Sequence, residues 1–159
     1  MIGGLVFDSA GAAVAGGLVG GLAGGLLGRA LEHKNEDYDK TAHDYGYRSD
    51  GRETIVRVED VDTDPEIITP RERLNLVARY AVLAPQRDQQ VLVTEKWRIV
   101  HNGRVVGDPV LSVRRTGGTW SSAVPITLPA NADSGTYQAS VEIQTAKASD
   151  RGSTTFTVR

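Results

Sequence analysis

Between Gly16 and Gly28 the sequence repeats every four residues: Gly16-Gly17-Leu18-Val19, Gly20-Gly21-Leu22-Ala23, Gly24-Gly25-Leu26-Leu27, then Gly28. No other feature of the chain restricts its folding as much. On a helix the repeat aligns one glycine stripe at Gly16, Gly20, Gly24 and Gly28, and a second at Gly17, Gly21 and Gly25. Leu18, Leu22 and Leu26 make a third stripe, and Ala12 and Ala13 extend both glycine stripes towards the N-terminus. In water such a helix is poor, because each glycine costs about 1 kcal/mol relative to alanine. In hydrocarbon an open backbone would leave its N–H and C=O groups unpaired, so a helix is enforced. Glycine then lets two backbones approach closely, as in the GxxxG interface. Ser9 to Gly28 carry no charge and are bracketed by Asp8 and Arg29. As a helix that stretch would reach about 30 Å, the thickness of a bilayer core. The pattern predicts an apolar glycine-zipper helix within residues 1–31. It would span a membrane or pack on itself, with membrane lipid and further copies of the chain as partners.

Two other readings fit less well. A secretory signal would want a basic leading region, and no Lys or Arg precedes Arg29. A flexible linker would favour serine over regularly spaced Leu and Val. Ala12 to Gly28 resembles the glycine-zipper segments of bacterial envelope proteins related to the 17 kDa surface antigen. The resemblance covers about 20 to 30 residues. It implies a cell-envelope location, membrane-anchored and periplasmic or surface-exposed, with other envelope proteins as further partners. Those relatives often carry two such segments in a hairpin. This chain has one clear run, which favours packing between molecules.

Residues 32–52 read as a polar linker or a helix extension. They alternate acids and bases, hold Tyr38, Tyr45 and Tyr47, and have almost no aliphatic side chains. Glu36 and Lys40 would pair at i,i+4 if the helix continued to about Thr41. Gly46 and Ser49-Asp50-Gly51 would end it. His33 and His43 lie near Glu36, Asp37 and Asp44 but fit no standard metal spacing, so solvated histidines are expected.

From Glu53 the period shortens from four to two. Leu74, Leu76, Ala78, Tyr80 and Val82 alternate with Asn75, Val77, Arg79 and Ala81. Other strand-like runs cover 54–58, 91–100, 105–113, 120–128, 136–143 and 153–158. Pro85, Asn102-Gly103, Gly117-Gly118 and Asp150-Arg151-Gly152 are among the breakers between them. Short strands at this spacing indicate an all-β sandwich over residues 53–159. Asp133-Ser134-Gly135-Thr136-Tyr137 resembles the entry to strand F of immunoglobulin-like domains, and Lys96-Trp97-Arg98-Ile99-Val100 resembles their strand C. The resemblance implies that Tyr137 ties a turn through its hydroxyl and that Trp97 sits in the core. The usual second cysteine falls on Ala139, and the chain has no cysteine. The resemblance is therefore to the cysteine-free immunoglobulin or fibronectin III group, with Trp97, Tyr137, Leu76 and Ala78 supplying the core. Arg71, Arg73, Arg79, Arg98, Arg104, Arg114 and Arg115 are expected to face solvent and deter edge pairing.

The expected fold is thus mainly β, with one N-terminal glycine-zipper helix and a seven-stranded immunoglobulin-like sandwich. The absence of cysteine excludes disulfides, thiolate metal sites and a cysteine nucleophile. A formal net charge of −2 argues against a nucleic-acid partner. No nucleophile elbow, phosphate loop or dinucleotide fingerprint occurs. Asp60, Asp62 and Asp64 open like a calcium loop, but Pro65 and Arg71 stand where the EF-hand needs Gly and Glu. The expectation is no catalytic residue, no cofactor and no metal. The chain reads as a self-associating structural protein of the envelope that presents its β domain. A filament or particle subunit with apolar segments as its core is the first alternative, and an oligomeric pore the second.

Overall fold

The computed structural model describes residues 5–6, 13–15, 31–48 and 53–159. In chain order the elements are β1 (Leu5–Val6), β2 (Ala13–Ala15), β3 (Leu31–Glu36), α1 (Tyr38–Asp44), β4 (Ile55–Asp64), β5 (Ile67–Ile68), β6 (Arg73–Leu83), β7 (Val91–His101), β8 (Arg104–Gly107), β9 (Val110–Arg115), β10 (Gly118–Thr127), β11 (Gly135–Gln144) and β12 (Ser149–Val158). They form two sheets. The larger runs β1-β2-β9-β7-β11-β12-β5, with β8 also paired to β7. The smaller runs β3-β10-β6-β4.

Period-two patterning builds the interior. Leu74, Leu76, Ala78, Tyr80 and Val82 of β6 are fully buried. They share one core with Trp97 and Ile99 of β7, Val124 and Ile126 of β10, Tyr137, Val141 and Ile143 of β11, and Phe156 of β12. The alternation stops at the end of β6, where Ala81, Val82, Leu83 and Ala84 are all buried. Helix α1 packs over this end of β6 and β10, so both faces of the strand are covered there. Asn102 (φ 50°) and Gly103 (φ 75°) join β7 to β8 in a two-residue turn whose left-handed backbone matches the twist of the flanking strands. At the other edge β4 closes onto β12. A Cβ on Gly152 would stand 2.6 Å from Val61 Cγ2 and 2.9 Å from Val58 Cγ1, so only glycine permits this approach.

The expected fold needs correction at three places. Among the described residues the sole helix is α1, seven residues long, and no described helix is long and apolar enough to cross a membrane. Ala13–Ala15, expected to be helical, is a strand whose residues pair with Ser112, Leu111 and Val110 of β9. The edge of β9 satisfies backbone groups that a glycine-rich helix would satisfy only at high cost. The packing positions Gly16, Gly17, Gly20, Gly21, Gly24, Gly25 and Gly28 lie outside the described residues.

The sandwich is also larger than seven strands: residues 31–159 hold ten. The run 105–113 is broken at Asp108-Pro109 into β8 and β9. Both lie along β7, with the Pro109 carbonyl accepting from the Trp97 N–H at 2.9 Å. β5 is a two-residue edge strand, parallel to β12. β3 comes from the segment expected to be a linker or helix extension. It has no alternation to reveal it, since its partner is the open edge of β10 and not an apolar layer.

Candidate functional site

Residues 31–48 form a strap that joins the N-terminal run to the sandwich. β3 pairs antiparallel with β10 from Leu31↔Ala123 to Glu36↔Thr119, with one bulge between Thr119 and Trp120. Asp37 caps α1 by accepting from the Lys40 N–H at 2.9 Å, a device that contributes about 1 kcal/mol to a helix this short. Tyr38 donates its hydroxyl to the Ala84 carbonyl at 3.2 Å. The Thr41 and Thr119 hydroxyls meet at 2.9 Å in a buried contact. Arg87 pairs with Asp39 in a two-bonded fork. Tyr45 donates to Glu59, and Tyr47 to the Glu53 carbonyl. Burial, followed by the adjacent Glu59 carboxylate, pushes the Tyr45 hydroxyl well above the ordinary tyrosine range. Arg79 of β6 bridges Glu59 of β4 at 2.9 Å and Glu36 of β3 at 3.6 Å, across the whole small sheet. A Cβ on Gly117 would lie 2.5 Å from the Tyr38 ring, so the glycine makes room for the strap.

Beneath the strap lies a buried charge cluster. Arg115 ends β9 and is 1% exposed, and Glu95 in β7 is 0% exposed. The Arg115 guanidinium reaches Glu32 Oε2 at 3.0 Å and Glu95 Oε2 at 3.4 Å. Its Nε–H donates to the Tyr80 hydroxyl at 3.0 Å, and that hydroxyl donates to Glu95 Oε2 at 2.7 Å. The Trp120 ring stacks against the guanidinium, 4.6 Å from ring centroid to Cζ. The four polar side chains come from β3, β6, β7 and β9, so the cluster ties both sheets together and ties the strap to them. Burial pushes the Glu95 carboxyl up, while the charge of Arg115 pulls it down less strongly. Burial and then the charge of Glu95 raise the Tyr80 hydroxyl. Arg115 is raised too, its partners outweighing the cost of burial. A buried arginine between two carboxylates ties together the strands that carry them, and losing one partner would leave an uncompensated buried charge.

Trp97, Tyr137, Leu76 and Ala78 are all within the buried core. Tyr137 donates its hydroxyl to the Asp133 carbonyl at 2.7 Å, tying the turn before β11. Arg115 departs from the expectation that the arginines face solvent. It stands in phase with Leu111 and Val113 on the inward face of β9, just as Glu95 stands in phase with Val93 and Trp97 on β7. Period-two alternation carried both, and a charged residue at an inward position was the signal. His33 is exposed on β3 and His43 is exposed on α1. Among the described residues no three His, Asp or Glu side chains gather as they would around a metal ion.

No family model matches the chain, and no curated protein matches it. Among solved structures it is similar to the Pseudomonas fluorescens alkylpurine DNA glycosylase AlkC bound to DNA containing an abasic site analog. That match has a TM-score of 0.46 and 17% identity, over 77% of this chain and 34% of the other. It is also similar to the beta-glucosidase from Listeria innocua in complex with glucose, with a TM-score of 0.43 and 12% identity, over 67% of this chain and 16% of the other. The chain thus spans about a third of the first structure's length and about a sixth of the second's.

Proposed function

We propose that this protein is a non-enzymatic assembly component of a bacterial cell envelope. It self-associates through its glycine-rich N-terminal run and presents the β-sandwich in a fixed orientation. The observation that carries this reading is the lack of slack between run and domain. Glu32 stands four residues after Gly28, yet it is already paired with Ser122 of β10 and ion-paired with buried Arg115. Four residues reach at most about 14 Å. The run is also held on its other side, where Ala15 pairs with Val110 of β9, so the described strands fix both of its ends to the domain. The same short join suits a filament or particle subunit whose apolar runs form a dry core. Such a subunit would pellet as fibres without lipid or detergent, whereas the membrane form would need detergent to leave the lipid.

Replacing Gly20 and Gly24 together by leucine tests the assembly. Light scattering of the eluted protein should fall from an oligomer mass to that of one chain. The thermal melt of the sandwich should stay unchanged. An oligomer of unaltered mass would refute the proposal.

A further inference from the structure

On the outer face of the large sheet, two shallow grooves lie end to end. One, of about 350 Å³, runs over Lys96, Arg98, Ser140 and Arg151. The other, of about 460 Å³, runs over Leu92, Thr94 and Gln144 towards the loop residues Gln90 and Lys147. Strand register makes them one trough: Lys96 faces Glu142 in one row and Thr94 faces Gln144 in the next, on neighbouring β7 and β11. From Leu92 to Arg98 the trough extends about 20 Å. We propose that this trough binds a linear anionic polysaccharide laid along β7 and β11.

The lining selects that chemistry. Lys96, Arg98 and Lys147 make no ion pair among the described residues, while Arg151 holds Glu142 at 2.6 Å and remains 80% exposed. Asp108 is the other acid that reaches the trough, so cations outnumber acids there although the whole chain is acidic by two charges. Unpaired cations on an open face attract a polymer that repeats a negative charge. Between them stand hydroxyls and amides, Thr94, Ser140, Gln144 and Gln90, which can both donate to and accept from sugar hydroxyls. Leu92, 53% exposed, offers an apolar patch to the C–H face of a sugar ring. A single-stranded nucleic acid would want aromatic platforms. The aromatic residues of these strands, Trp97, Tyr137 and Phe156, all point into the core. A duplex would want a basic protein. An open trough without a closed end suits a chain that continues past both ends, not a small molecule that must be enclosed.

The inference rests on the reading of the sandwich as a module presented at an envelope, and the two can fail separately. The probe is a sodium alginate oligomer, a polyuronate, titrated into the full-length protein by calorimetry. A dextran of equal length and a DNA duplex of similar charge serve as comparisons. Alginate should bind, more weakly as salt rises, and should bind at least about tenfold more tightly than dextran or DNA. Lys96→Ala with Arg98→Ala should weaken alginate at least about tenfold with an unchanged thermal melt. Gly20→Leu with Gly24→Leu should bind alginate as the parent does, whatever happens to assembly. The proposal is overturned by a parent protein that ignores alginate, by a double variant that binds it equally, or by dextran or DNA binding as tightly.

Discussion

Strand β7 carries two unlike interiors, separated by six residues or about 20 Å. At Glu95 the core is charged: one arginine, two carboxylates and a tyrosine hydroxyl exclude water among themselves. At His101 the core is a stack of rings. His101 lies 4.1 Å from Tyr137 at an interplanar angle of 11°, and Tyr137 lies 5.1 Å from Phe156 at 15°. His101 Nδ1 stands 2.9 Å from the Thr136 carbonyl oxygen, so it carries the ring proton, and Nε2 accepts from the Asn102 amide. The two ends hold different things. The ring stack joins β7, β11 and β12, neighbours within one sheet. The charge cluster joins both sheets and receives a strand, β3, from the N-terminal side. A ring stack tolerates small changes in fit, whereas a buried ion cluster fails as a unit when one member is lost. Specific capture of one strand therefore rests on the end that is costlier to build.

That contrast can be broken by mutation. The largest effect is expected from Arg115→Met, which leaves Glu95 and Glu32 facing each other across a dry interior. Urea unfolding should show a loss of about 3–5 kcal/mol. Adding Glu95→Gln and Glu32→Gln to that variant should recover most of the loss. If the triple variant is no more stable than the single one, lost packing is the cause and the contrast fails. At the other end Phe156→Leu keeps an apolar side chain of similar volume, and its cost should be about 1 kcal/mol. An equal loss from Phe156→Leu and Arg115→Met would remove the distinction between the ends.

The smallest effect sharpens the comparison by pH. Burial raises the folded-state value of the Glu95 carboxyl above its unfolded one. Such a group favours the fold fully below the unfolded value, and the contribution is lost as pH rises through the folded value. Glu95→Gln should therefore gain on the parent between about pH 4 and pH 7, while Phe156→Leu keeps a constant offset. Urea midpoints at the two pH values read this directly, and a Glu95→Gln offset that does not change with pH would place the carboxyl outside the dry cluster.

Much of the sandwich is legible in the residues themselves. The resemblance to immunoglobulin-like domains implied the inward placement of Trp97 and Tyr137, and the Leu74-to-Val82 alternation and the Asn102-Gly103 turn follow from local spacing. Glu95 and Arg115 were legible in the same way, because both fall on the inward phase of their strands. The expected exposure of Arg115 came from residue type, which speaks against burial only while no partner is at hand. Leu31–Glu36 was not legible. An edge strand made of Glu, His, Lys and Asn has neither the period of a helix nor that of a half-buried strand, so local sequence left it as a connector. The sequence by itself determined the β-rich character of residues 53–159, the Asn102-Gly103 turn and the inward face of the Leu74-to-Val82 strand, since these depend on neighbours two residues apart, whereas Asp150-Arg151-Gly152, expected as a breaker, lies within β12 and the turn falls at 145–148. Only the tertiary structure decided that the strap belongs to the sandwich and that a charge cluster holds it. Both depend on Glu32 meeting Arg115 across 83 residues, and no local period encodes a partner at that distance.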